Sequence, residues 1–265
     1  MTGAPIEVRP TIDRAWLERV ASLDPIDHAF ALWDLDRNPG RIRFFSAVEG
    51  GTTIGYLLVW LGHPAAPVVH WFGEGPWVRS LVGILPPRPC VAIVPTSVAP
   101  TVEAVRGPGR RSPLLVLARD PRMPLRFTEG TPAVRPLLRE DLPRLSTWSR
   151  QQNDPVAAEY PFLDPEVERA WGAFDGERLV GVVRAEVRLP RVWVLGGVYV
   201  EPTARGRGWG RVLLGAAVSA AEGSGAQVAL YVREDRTAAR SLYESVGFRT
   251  VGHRVWLDLG AGLLP

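Results

Sequence analysis

The chain has 265 residues, room for two small domains, with 46% hydrophobic and 22% charged residues, the balance of a soluble globular protein. All 31 basic residues are arginines, but 28 acids offset them to a formal net charge of +3, and no basic block stands out to suggest nucleic acid. The sequence offers neither an apolar run of about 18 residues nor a basic-then-apolar leader, so no membrane partner is expected and a cytoplasmic location is.

Residues 1–118 read as an α/β domain. Ile6–Arg9 is a first strand, and Thr11 or Asp13 can cap a helix through Leu23 with Trp16, Val20 and Leu23 on one face. Asp24-Pro25 restarts a helix to about Leu35. Strands over 43–48 and 53–61 flank the hairpin signal Glu49-Gly50-Gly51. A strand at Val68–Phe72, a helix over 77–85, a strand over 91–94, a helix near 97–105 and an apolar run over 114–118 follow. The single cysteine, Cys90, borders the apolar run CVAIV and reads as a buried thiol, with no disulfide partner in the chain.

Residues 119–132, with their prolines and mixed charge, read as a linker to a second domain over 133–265. That domain opens with a strand over 133–138 and a helix from Arg139 to about Gln152. Asp164-Pro165 starts another helix through Ala170, and strands over 171–174 and 178–187 flank the turn Asp175-Gly176.

The most informative stretch is 194–217. LGGVYV reads as a buried strand, and Gly196-Gly197 inside it marks a bulge or a close backbone approach. Pro202 ends the strand. Arg205-Gly206-Arg207-Gly208-Trp209-Gly210 is a turn, and Leu213, Ala217 and Ala220 carry the chain away as an amphipathic helix. A glycine-rich turn at a helix start is an anion site, because unpaired N–H groups and the positive end of the helix dipole meet there. It is not a P-loop, since Gly-Lys-Ser/Thr is missing, and G-x-G-x-G is not the dinucleotide fingerprint.

Arg205, Gly208 and Gly210 do fit Arg/Gln-x-x-Gly-x-Gly/Ala, and after a strand over 226–232 the residues Ala239, Leu242, Tyr243, Gly247 and Phe248 fit Ala-x-x-Leu-Tyr-x-x-x-Gly-Phe. Together these resemble the GNAT superfamily of N-acyltransferases. The resemblance implies an α/β (α+β) fold of two tandem GNAT-like domains, each a mixed, mostly antiparallel sheet flanked by helices. The first would be degenerate, because Gly73-Glu74-Gly75-Pro76 stands where its phosphate turn would fall. Such an arrangement is similar to the glycine N-acyltransferase-like branch.

The implied chemistry is N-acetyl transfer from acetyl-CoA, without a metal, to a primary amine that attacks directly in a ternary complex. Val198, Tyr199 and Val200 would offer backbone groups to pantetheine, one N–H also polarising the thioester carbonyl. Arg205, Gly206, Arg207, Gly208, Trp209, Gly210 and Arg211 would hold the pyrophosphate, with Ala239 on the following helix. Arg236 stands where many members have Asn, and could reach a CoA phosphate or only cover the helix start. Tyr243 would protonate the departing thiolate. The strand before the loop has no carboxylate, so the base is Glu186 or a water chain, Glu201 being no better placed. The segment 153–168, with Asp154, Glu159, Asp164, Glu166 and Glu168 beside Tyr160 and Phe162, would line the acceptor. A non-catalytic acyl-CoA sensor or scaffold is the alternative.

Overall fold

The computed structural model describes residues 5–63, 65–125, 133–152 and 169–263. In chain order the first elements are β1 (Ile6–Arg9), α1 (Arg14–Leu23), α2 (Ala29–Arg37), β2 (Ile42–Glu49), β3 (Thr52–Trp60) and β4 (Val68–Phe72). Next come α3 (Val78–Val82), β5 (Cys90–Val94), α4 (Ala99–Arg106), β6 (Arg110–Arg119), β7 (Ala133–Pro136) and α5 (Leu142–Gln151). The last are β8 (Ala170–Asp175), β9 (Arg178–Arg188), β10 (Val192–Val200), α6 (Trp209–Gly223), β11 (Gln227–Arg233), α7 (Thr237–Ser245) and β12 (Phe248–Leu259). Among the described residues no helix is long and apolar enough to cross a membrane.

The chain divides into two units. Met1–Leu115, Arg233–Asp235 and Gly252–Pro265 form the first, and Val116–Val232 with Arg236–Val251 form the second. In the first unit β1 to β4 pair antiparallel in sequence order, and β4 runs parallel to β5. The far side of β5 is taken by the last strand of the chain, from Val255↔Val94 to Leu259↔Cys90. Leu57, Val69, Leu81, Cys90, Ala92, Val102 and Leu257 close the core, and the Cys90 thiol is inside it.

Asp13 caps α1 as its spacing predicts, its side chain accepting from the Trp16 N–H at 3.1 Å. Leu17 and Ala21 are its buried residues, Trp16 and Val20 lean on the same cluster, and Leu23 is 86% exposed, against expectation. The helix expected from Pro25 begins only at Ala29, because Asp24 first ties a turn through the Asp27 N–H at 3.1 Å. The turn after β4 is filled by an indole. Trp77 stacks on Trp71, and a Cβ at Gly55 would overlap its ring while one at Gly73 would stand 2.8 Å from it.

Asp34 sits in the last turns of α2, buried, where both desolvation and the negative helix end disfavour its charge. Burial pushes its pKa from 3.8 up to about 6, although the Asn38 amide donates to it at 2.7 Å. A carboxyl whose pKa is raised on folding stabilises the fold below its unfolded pKa, and that contribution is lost as pH rises through the folded value. Asp34→Asn should therefore exceed the parent in urea stability at pH 7, by roughly 1–3 kcal/mol, with the gap closing towards pH 4. A gap of the same size at both pH values would count against this assignment.

In the second unit β7 to β10 are antiparallel in sequence order, and β11 lies parallel to β10. β7 stops at Pro136, short of the expected 138, and the helix expected from Arg139 begins as a 3-10 turn that becomes α5 at Leu142. Asp141 accepts from the Leu138 N–H at 2.9 Å and pairs with Arg135, which holds its carboxyl below the usual range. Of the helix expected over 165–170, residues 165–168 lie outside the described residues, and Ala170 already opens β8. Leu145 and Trp148 of α5 pack on Phe174, Val182 and Tyr199.

The Gly-Phe that ends the downstream motif has a steric cause. Gly247 leaves α7 with φ of 93°, and a Cβ there would stand 2.8 Å from Arg119 Nη1. Arg119 is buried and donates to the Met123 carbonyl, so it has little room to give. Gly247→Ala should cost roughly 1–3 kcal/mol, read as a lower urea midpoint, and an unchanged midpoint would remove this explanation.

Candidate active site

β10 has two neighbours for only part of its length. Its parallel register with β11 runs from Val192↔Gln227 to Leu195↔Leu230 and ends, while β10 continues beside β9 to Val200↔Gly181 and β11 continues to Arg233. Two irregularities in the β9 pairing bend the strand at that point. Val194↔Val187 is followed by Leu195↔Ala185, so Glu186 is the extra residue on β9. Gly196↔Arg184 is followed by Tyr199↔Val182, so β10 carries one extra residue, and there Gly197 takes φ of 58°. Val198, Tyr199 and Val200 therefore lie where β10 and β11 part. The Tyr199 ring serves the core, edge-on to Trp148 at 5.6 Å, so only its backbone faces the donor role the sequence suggested.

Glu201 is buried at the end of the strand and committed, pairing with Arg178 at 2.9 Å and accepting from the Thr203 hydroxyl at 3.0 Å. It fixes the exit of β10. Arg205 Nε then donates to the Val200 carbonyl at 3.0 Å, folding the loop back on the strand. Gly206 and Gly208 have φ of 77° and 83°, and a Cβ at either would meet nothing within 4 Å. Their need for glycine is thus conformational, and the space beside them is open.

Gly208 is the left-handed residue before α6. Its carbonyl accepts from the Arg211 N–H at 3.0 Å, and no acidic side chain occupies the first turn of the helix. The first N–H groups of an α-helix have no partner inside it, so this end favours an anion. Gly210 is glycine for a different reason. A Cβ there would stand 3.1 Å from Leu242 Cδ2 of α7, which brings the loop against the residue preceding Tyr243. Arg207 pairs with Asp175 at 3.1 Å and Arg211 is exposed. The Trp209 side chain is buried at 3% exposure and anchors α6, leaving its backbone to the loop.

Arg236 is exposed just before α7 with no capping bond from its side chain, and Ala239 is half-buried one turn on. Tyr243 is 8% exposed, edge-on to Phe248 at 6.1 Å, and its hydroxyl makes no hydrogen bond to another described residue. Burial, with the nearby Glu186 charge adding to it, pushes the phenol from 10 up to about 12, so it stays a proton donor through the neutral range. Glu186 pairs with Arg184 at 2.9 Å. Two features were not legible in the sequence, the Arg184 partner and the placement of the Glu186 carboxylate over Gly196, where a Cβ would overlap it. The alternation Arg184-x-Glu186 on one face of β9 was the only available signal. The proposed acceptor segment 153–168 lies outside the described residues.

The sheet thus opens between two parallel strands, with a glycine-rich helix start at the opening and a tyrosine on the next helix. Residues 131–248, a little under half of the chain, match the model of the Acetyltransferase (GNAT) family. A mycothiol acetyltransferase of Geodermatophilus obscurus is 36% identical over 116 residues, 40% of this chain and 36% of that protein. One of Gordonia bronchialis is 36% identical over 112 residues, 40% of this chain and 35% of that protein. The chain thus spans only about a third of the length of these relatives.

Likeness of fold extends further. A tandem GNAT protein of the clavulanic acid biosynthesis pathway superposes with a TM-score of 0.62 at 16% identity, over 98% of this chain and 100% of that one. A GCN5-related N-acetyltransferase-like protein of Streptococcus suis gives 0.64 at 13% identity, over 92% and 99%. The expected tandem GNAT architecture, mixed and mostly antiparallel, is the one found.

Proposed function

We propose that the second unit transfers an acetyl or other short acyl group from acyl-CoA to the primary amine of a small molecule or peptide. The observation that carries this is the parting of β10 from β11 directly before an open, glycine-lined helix start. In this reading the loop from Arg205 to Arg211 takes the pyrophosphate, with Arg236 and Ala239 beside it. Val198, Tyr199 and Val200 offer backbone groups to pantetheine, and one of their N–H groups polarises the thioester carbonyl. The amine attacks within a ternary complex. An acyl-enzyme is disfavoured because the single cysteine is buried in the core of the first unit. Tyr243 then gives its proton to the leaving thiolate.

The first unit, residues 1–118 in the sequence division, is read as the degenerate repeat, since Trp77 fills the space beside its glycine turn. Residues 119–132 would be the linker and 133–265 the transferase. The relatives named for mycothiol are matched over only about a third of their length, and the acceptor in this reading is a primary amine.

Calorimetric titration with acetyl-CoA tests the donor site, with one equivalent expected. Two equivalents would restore a donor site to the first unit, and none would sink the reading. A catalytically idle acyl-CoA sensor is favoured by one observation, the commitment of Glu201 to Arg178 at the end of a strand without another acid. One equivalent bound, with no thiol release across a broad panel of amines, would select it.

A further inference from the structure

The proposed reaction lacks a proton acceptor on β10, and a carboxylate stands beside that strand, paired with one arginine. Glu186 is the extra residue of the β9 irregularity, so the sheet register makes no demand on it. Its carboxylate lies over the backbone of Gly196, the residue just past the last β10–β11 pair, and close enough to Tyr243 for the two to interact electrostatically. Arg184 holds it there through Nη2 at 2.9 Å and Nε at 3.2 Å, both to Oε1. Both Arg184 contacts are to Oε1, and neither is to Oε2. The contrast with Glu201 is plain, since that carboxylate is bound by two partners and buried.

We propose that Glu186 is the general base of the acyl transfer, positioned by Arg184 and by the absence of a side chain at Gly196. This rests on the donor reading given above. The acceptor arrives as an ammonium and gives one proton to Glu186 Oε2, directly or through one water. The neutral nitrogen attacks the thioester carbon, the C–N bond forms, and the carbonyl electrons move to oxygen. Collapse breaks the C–S bond, and the thiolate takes the Tyr243 proton. The second nitrogen proton restores the phenol, and Glu186 releases its proton to solvent. Base and acid are thus separate groups, and each returns to its starting state within the turnover. Gly196 is a positioning residue here. Its φ lies outside the left-handed region, and the three atoms nearest a Cβ there all belong to the Glu186 carboxylate.

Thiol release from acetyl-CoA is the readout, with methylamine, which arrives protonated at neutral pH, and methoxyamine, which arrives neutral. Glu186→Gln should slow the methylamine reaction about 100-fold and the methoxyamine reaction far less, with acetyl-CoA binding by calorimetry unchanged. Gly196→Ala should reproduce the methylamine loss and add nothing in a Glu186→Ala background, because the group it displaces is already gone. A purely structural role would cost both amines alike. Equal losses with the two amines, or a parental rate with methylamine, overturn the proposal while leaving the donor site in place. Failure of the parent to bind acetyl-CoA overturns both readings together. If neither amine is accepted, hydrolysis of acetyl-CoA serves instead. It should slow in Glu186→Gln, and an unchanged rate overturns the proposal.

Discussion

Gly208→Glu is expected to abolish measurable acetyl-CoA binding while leaving the protein folded. The residue has φ of 83°, so any side chain meets a conformational cost of roughly 1–2 kcal/mol, but a Cβ there touches nothing within 4 Å. The fold can therefore accept glutamate. The ligand cannot, because the new carboxylate stands at the helix end that would attract the pyrophosphate and repels it instead. A loss of about 3 kcal/mol corresponds to a rise of more than 100-fold in Kd. Gly208→Gln imposes the same backbone cost without charge and should weaken binding by much less. Unfolding midpoints within error for Glu and Gln, with binding lost only in Glu, would place an anion beside Gly208. Parental affinity in Gly208→Glu would move the donor elsewhere.

What the sequence could and could not reveal divides along the range of the interactions. Gly50-Gly51 and Asp175-Gly176 were legible as hairpin turns because the positive φ at Gly50, Gly51 and Gly176 is a local demand that glycine meets. The strand–loop–helix unit around Gly208 was legible for the same reason, with the helix start written into the glycine spacing. Leu23 was misplaced because Trp16 and Leu17 are adjacent apolar residues and either can lead the buried stripe. Leu17 leads it, with Ala21 four residues on, and Leu23 turns to solvent. The start of α2 was misread because Asp24 has two uses, and it ties a turn before the helix begins.

Longer-range facts left no local trace. The pairing of Val255 to Leu259 with β5 joins segments more than half the chain apart, and nothing in either strand names the other. The place of Glu186 over Gly196 depends on a register irregularity, and a one-residue offset between strands cannot be read from either strand alone. Part of the candidate site was therefore read as a motif and part was found only as geometry. Gly208 and Tyr243 belong to the first kind, Arg184 and the role of Gly196 to the second.

Tyr243→Phe should lower turnover about 100-fold and leave acetyl-CoA affinity within a factor of two or so, since uniform binding of the donor does not use the hydroxyl. The substitution keeps the ring in its edge contact with Phe248 and removes only an oxygen that makes no hydrogen bond to a described residue, so the fold should not be disturbed. The pH dependence supplies a second sign. Because burial pushes the phenol up to about 12, its proton is retained well beyond neutrality, and the parent should show no loss of kcat from this group below about pH 10. An alkaline limb near pH 8 in the parent would have to belong to another group, and its persistence in Tyr243→Phe would identify it as such. The decisive pattern is a fall in kcat with an unchanged Kd. Normal turnover with a large loss of affinity would make Tyr243 a packing residue, and the thiolate would then leave either unprotonated or through water.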